Sequence, residues 1–129
     1  MIKSRADSFT RKLIGETLQK HTVSRILAHF PELSVQDVQS QKMSVRGEDI
    51  LLTDKAKDIL SNPSYETKSK KSGYTPAYDA IKQCRRQANA EEMPVAIIHD
   101  PKEKHLLAIV TLEDFLILKR LYAIAKGIL

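Results

Sequence analysis

The chain has very little of what staples or anchors a protein. It has one cysteine, Cys84, so no internal disulfide can form. None of its four histidines stands at a metal-ligand spacing from another, which leaves a structural zinc site without a ligand set. The longest uncharged apolar run towards the middle of the chain, His105 to Leu112, falls far short of the roughly 20 residues a membrane-spanning helix needs. The opening MIKSRADSFTRKLIG has neither an uninterrupted apolar core nor a small-residue cleavage pattern, so a cytoplasmic protein with no membrane partner is expected.

What is present fits one soluble domain. A length of 129 residues predicts a single domain over 1–129, with one active site or one binding face. With 42% hydrophobic and 29% charged residues and a mean hydropathy of -0.32, the chain can bury a core and is not of a disordered composition. Its 21 Lys and Arg against 16 Asp and Glu give a net charge of +5. That favours an anionic partner, nucleic acid first.

Leu13, Ile14, Leu18, Val23, Ile26, Leu27 and Phe30 recur at three- and four-residue intervals and predict a first helix stopped by Pro31. Gly15 inside it leaves open two helical pieces or one continuous helix. Val35 to Met43 reads as a short strand or the approach to one, and Glu48 to Thr53 as a strand with acids at its entry. Thr53 then caps a short helix, Asp54 to Leu60, with Ala56, Ile59 and Leu60 inward, and Asn62-Pro63 ends it. Ser64 to Lys70 alternates strictly, placing Tyr65, Thr67 and Ser69 on one face and Glu66, Lys68 and Lys70 on the other, as in a strand.

Thr75 as N-cap and Pro76 at the first helical position open a helix whose apolar side is Ala77, Ala80, Ile81, Cys84 and Ala88, with Lys82, Arg85 and Arg86 elsewhere. Pro94 to His99 and Leu106 to Val110 predict a central hairpin. Thr111 caps a last helix running towards Gly127. The order is α-β-(short α)-β-α-β-β-α, or α-β-β-α-β-β-α with the short helix set aside. The expected fold is α/β, a central mixed β-sheet flanked by helices.

Asp49 and Glu66-Thr67-Lys68 put two carboxylates on separate predicted strands, with a lysine two positions after the second. Where such strands are neighbours the polar ends converge. A hard divalent cation relieves the repulsion between the carboxylates and binds phosphate oxygens. Lys68, on the face of Glu66, can hold or deprotonate a water, which makes an apparatus for phosphodiester hydrolysis. The bland alternative is a solvated, salt-bridged sheet edge. Glu48 should face the other way, as a solvent acid or a partner for Arg46.

The phrases SQKMSVRGEDILLTDKAKDIL, SYETK, the helix with Gln83, and MPVAIIHDPKEKHLLAIVTLEDFL resemble the PD-(D/E)xK nuclease superfamily, and within it phage proteins similar to archaeal Holliday-junction resolvases. The likeness runs from about Gly15 to Leu118 and is strongest between Met43 and Lys68. It implies a restriction-endonuclease-like core in which Asp49, Glu66 and Lys68 bind metal and activate water. It also implies that Gln83 sits beside the site and that Glu16 is the first helix's added metal ligand. Mg²⁺, with Mn²⁺ substituting, would be the cofactor, and host cytoplasm the location of a phage-encoded chain. The chain departs from the family in reading Thr67 where relatives carry cysteine, a middle residue expected to point away from the site. Tyr74 and Tyr78 also stand in a different arrangement from the family's helix-start aromatic, which bears on substrate choice.

Lys70, Lys71, Arg85 and Arg86 lie after the proposed site and on the helix beside it, where a phosphate backbone would pass. Cys84 reads as a small core residue. The last helix carries more apolar surface than one packed side needs, which points to a homodimer. The expected function is a Mg²⁺-dependent endonuclease acting on branched DNA. The alternatives are a nuclease of the same fold acting on linear duplex or single-stranded DNA, or a non-catalytic basic DNA-binding module.

Overall fold

The computed structural model describes residues 5–42 and 47–129. The fold is mixed α/β, with four helices and two small antiparallel sheets among the described residues. The chain gathers into two compact units, Met1–Ser69 with Leu116–Leu129, and Lys70–Phe115.

In the first unit, α1 (Arg5–His29) is one continuous helix through Gly15, which settles the alternative left open by the sequence. It ends where Phe30 N–H donates to the Ile26 carbonyl at 3.0 Å and Pro31 follows. β1 (Val38–Ser40) packs along α1 and pairs antiparallel with β2 (Ile50–Leu52), Val38 opposite Leu52 and Ser40 opposite Ile50. Ile26, Phe30, Val38 and Ile50 form the centre of the core, each 1% exposed or less.

α2 (Asp54–Leu60) starts and stops as its sequence predicts. The Thr53 hydroxyl accepts the Ala56 N–H at 3.3 Å, and Ala56, Ile59 and Leu60 are buried. The same hydroxyl donates to Asp37 at 2.8 Å, and Asp37 also accepts the Ser34 N–H and hydroxyl. The Ser34 N–H above all, with the Thr53 hydroxyl, holds the Asp37 carboxyl below its ordinary range. One carboxylate thus ties the entry of β1 to the cap that follows β2. The helix closes on Ser61 in the left-handed conformation, φ 66°.

The last helix, α4 (Leu112–Ala125), returns to this unit from Leu116 onward and buries Leu116 and Ala123. Arg120 Nη1 donates to Glu32 at 2.7 Å and to the His29 carbonyl at 3.2 Å, while its guanidinium stands 5.8 Å from the centre of the Phe30 ring. It therefore satisfies a terminal carbonyl of α1. The Arg120 guanidinium beside Glu32 holds that carboxyl below its usual range.

The second unit contains α3 (Thr75–Gln87) and the antiparallel pair β3 (Ala96–Ile98) and β4 (Leu107–Ile109), with Ala96 opposite Ile109. α3 packs on β3, burying Ile81 and Ala96, and Cys84 donates its thiol to the Val95 carbonyl at 3.5 Å. Thr111 caps α4 as predicted, accepting the Asp114 N–H at 3.1 Å. Thr75 is not a cap. Tyr74 already has helical backbone (φ -98°, ψ -6°), unlike the extended Thr53 (φ -70°, ψ 167°), so α3 starts one residue early, without a side-chain cap.

Two further expectations are corrected. The strands form two separate two-stranded sheets among the described residues, in place of one central mixed sheet. Ser64 to Lys70 is chain outside any ladder. Its only large apolar side chain is Tyr65, too little surface to hold a strand by packing. Met43, the predicted end of the first strand region, lies outside the described residues. No helix among the described residues is long and apolar enough to cross a membrane.

Candidate functional site

The site is built where the chain enters β2. Asp49 N–H donates to the Tyr65 carbonyl at 3.2 Å, and the Asp49 carbonyl accepts the Gln41 N–H at 2.8 Å. Its carboxylate Oδ2 accepts the Thr67 N–H at 2.6 Å and the Thr67 hydroxyl at 3.1 Å. Asp49 thereby grips the residues on both sides of Glu66, as a residue in a parallel ladder grips the two neighbours of its partner. Its carboxylate stands in for the peptide carbonyl that Gln41 already occupies. The bond to Thr67 N–H is short, as expected of a charged acceptor.

The alternation predicted over 64–70 survives as far as Lys68 without a strand, and Ser69, predicted to share the face of Tyr65 and Thr67, is exposed. Tyr65 and Thr67 are half-buried, and Glu66 and Lys68 project into solvent with side chains 62% and 69% exposed. Lys68 Nζ lies 3.8 Å from Glu66 Oε1, a loose pair at that exposure. Thr67, expected to point away from the site, is the residue of the E-x-K phrase that touches the Asp49 carboxylate. A hydroxyl-bearing residue between the acid and the lysine was the available signal for this.

The Tyr65 hydroxyl is buried without a hydrogen-bond partner among the described residues, and burial pushes its pKa up to about 12. The folded state thus keeps a proton that the unfolded chain releases near the ordinary tyrosine value of 10.0. Stability from that retained proton is whole below the unfolded value and is lost as pH climbs through about 12. The loss is on the order of 1–2 kcal/mol, discounted for the partial solvent access of the phenol. Spectrophotometric titration should show one of the four tyrosines ionising last. Tyr65→Phe removes that late step, and an identical curve for the variant disproves the assignment.

The remaining predicted residues are placed as follows. Glu48 is half-buried, and its proposed partner Arg46 lies outside the described residues. Glu16 lines a cleft of about 210 Å³ between α1 and the end of β1, with Gln19, Lys20, Ser40, Gln41 and Lys42. Gln41 is the step from that cleft to Asp49. Lys70, Lys71, Gln83, Arg85 and Arg86 are exposed and belong to the second unit, where Lys70 Nζ stands 5.6 Å from the centre of the Tyr74 ring. Tyr78 is also exposed there, on α3.

The donor chemistry suits a hard cation. No group of three His, Cys, Asp or Glu gathers as a metal site among the described residues. Mg²⁺, however, is ordinarily held by one or two carboxylates together with substrate phosphates and water. Asp49 and Glu66 supply that number on adjoining backbone, and only Oδ2 of Asp49 is engaged by Thr67. No family model, curated protein or solved structure matches the chain.

Proposed function

We propose that the chain is a divalent-metal-dependent endonuclease of PD-(D/E)xK type that hydrolyses phosphodiester bonds in branched DNA. The observation that carries the reading is the grip of Asp49 on both neighbours of Glu66, which sets the two carboxylates of the motif on adjoining backbone. In this reading β1, β2 and the chain over 64–69 represent the nuclease core. Asp49 and Glu66 hold Mg²⁺, or Mn²⁺ in its place, and Thr67 orients the Asp49 carboxylate. Lys68 positions the attacking water or, as the neutral amine, takes its proton. The bound cation supplies charge stabilisation at the scissile phosphate. Gln83, Lys70, Lys71, Arg85 and Arg86 contact the DNA.

The exposed Ile117, Leu118, Leu121, Tyr122 and Ile124 of α4 are the proposed face for a second copy, whose two-fold axis would set two sites against opposing strands. A second reading, a non-catalytic basic DNA-binding module of the cytoplasm, is favoured by the exposure of the Glu66–Lys68 pair. Labelled four-way junction, matched linear duplex and single strand, each with Mg²⁺ or EDTA, separate the readings. The expected result is Mg²⁺-dependent cutting of the junction. Salt-sensitive binding with no cutting of any DNA would leave the binding module, and equal cutting of all three would leave a nuclease without branch preference.

A further inference from the structure

Ligand pockets are lined mainly by apolar and aromatic side chains. The cleft between α1 and the end of β1 has none, and all six of its lining residues donate or accept hydrogen bonds. Its charge is mixed in a particular way, with Lys20 and Lys42 exposed and Glu16 half-buried. Gln41 Oε1 is already taken by the Lys42 N–H at 3.0 Å, which leaves the Gln41 amide as a donor. The cleft's lining carries two lysines against one carboxylate, a net charge of +1.

A bare phosphate would use the two lysines but be repelled by Glu16. A nucleotide uses the carboxylate, the amide and both lysines. An exocyclic amino group donates to the Glu16 carboxylate, the base's acceptors take the Gln41 amide, and the flanking phosphates meet Lys20 and Lys42. At about 210 Å³ the cleft has room for a single heterocyclic base rather than for a stacked pair. Its position is equally specific, because the Gln41 N–H that holds the Asp49 carbonyl at 2.8 Å sets it next to the proposed reaction centre.

We propose that this cleft binds one unpaired nucleotide of the substrate strand, one whose base carries an exocyclic amino group, with Glu16 accepting from that group. The inference rests on the DNA reading above and adds what the chain recognises in a branch. A base still stacked and paired in a duplex cannot enter a cleft with room for one base, so the nucleotide it takes is unpaired. In this role Glu16 contacts a base and leaves the metal to Asp49 and Glu66.

The test is fluorescence anisotropy with the full chain in EDTA, using oligo-dC and oligo-dT of equal length at mildly alkaline pH, where oligo-dC stays single-stranded. Wild type is expected to bind oligo-dC about tenfold more tightly, within the range for one good base-edge contact. Glu16→Ala, which removes the acceptor, should bring the ratio to about one. The double variant Lys20→Gln, Lys42→Gln should weaken both about tenfold and flatten the salt slope by roughly 1.4, at about 0.7 per phosphate contact on a single strand. Lys102→Gln, an exposed lysine of the other unit, is the control and should change neither. Equal affinity for the two oligonucleotides in wild type, or a lysine pair no weaker than Lys102→Gln, overturns the proposal. Cleavage is read separately with Mg²⁺ on the junction. Absent cutting with the oligo-dC preference intact removes the nuclease reading alone, and cutting without that preference removes the cleft alone.

Discussion

On the proposed nuclease reading, Lys68→Ala is expected to lower Mg²⁺-dependent cleavage of the junction by roughly 10²- to 10⁴-fold, the usual contribution of a positioned acid or base, and to leave the melting curve unchanged. The second half follows from the exposure of Lys68 and its 3.8 Å pairing with Glu66, since a solvated pair of that length adds little stability. Asp49 separates structure from chemistry in a complementary way. Asp49→Asn keeps an oxygen that can accept the Thr67 N–H and hydroxyl, so the backbone grip persists while the charge needed for a cation is gone. Asp49→Ala loses both, and costs about 2 kcal/mol, as expected for hydrogen bonds to a charged acceptor. Loss of cleavage in both variants, with destabilisation only in the alanine variant, identifies Asp49 as ligand and brace together. Full activity in Asp49→Asn would reduce it to a brace.

Phe30→Ala is expected to cost about 3–5 kcal/mol, a large part of the roughly 5–15 kcal/mol that separates a folded domain from its unfolded chain. Phe30 is wholly buried at the point where α1 ends. Its N–H closes the last turn on Ile26, its carbonyl accepts the Leu33 N–H at 2.9 Å, and its ring lies under the Arg120 guanidinium. Truncation empties the ring's volume and removes the platform beneath Arg120. Phe30→Leu, closer in volume, should cost less than about 1.5 kcal/mol. Urea unfolding reads the effect as a shift in midpoint at constant slope. A loss below about 1 kcal/mol for the alanine variant would mean that Phe30 is not central to the core.

The parts of the fold legible in the sequence are those decided within a few residues. Thr53 and Asn62-Pro63 bracket α2 at its observed bounds, because capping and proline act locally. The β3–β4 hairpin was readable from two β-branched runs either side of a polar turn. What was not readable depends on partners distant in sequence. Strict alternation over 64–70 describes which side chains turn inward, and Tyr65 and Thr67 do while Ser69 does not, but a strand needs a neighbour along its length, and among the described residues the backbone of this segment hydrogen-bonds only to Asp49. The candidate site was legible as residue types, Asp49 and Glu66-x-Lys68. The bond between Asp49 and Thr67 was hidden, because eighteen residues separate the two and nothing in spacing says which of two alternating faces a carboxylate will find.

The placement of α4 has a consequence for synthesis. Leu116 and Ala123 are part of the core of the first unit, and Arg120 reaches Glu32 across 88 residues of sequence. Residues 70–115 are thus a complete excursion inside another folding unit. A chain emerging N-terminus first can assemble α3 and its hairpin from neighbours already made, whereas the unit carrying Asp49 waits for Leu116 to Ala123 before its core closes. Until then the Phe30 ring lacks the Arg120 guanidinium that stands 5.8 Å from its centre, so the nascent protein passes through a stage in which the inserted unit is the more finished one.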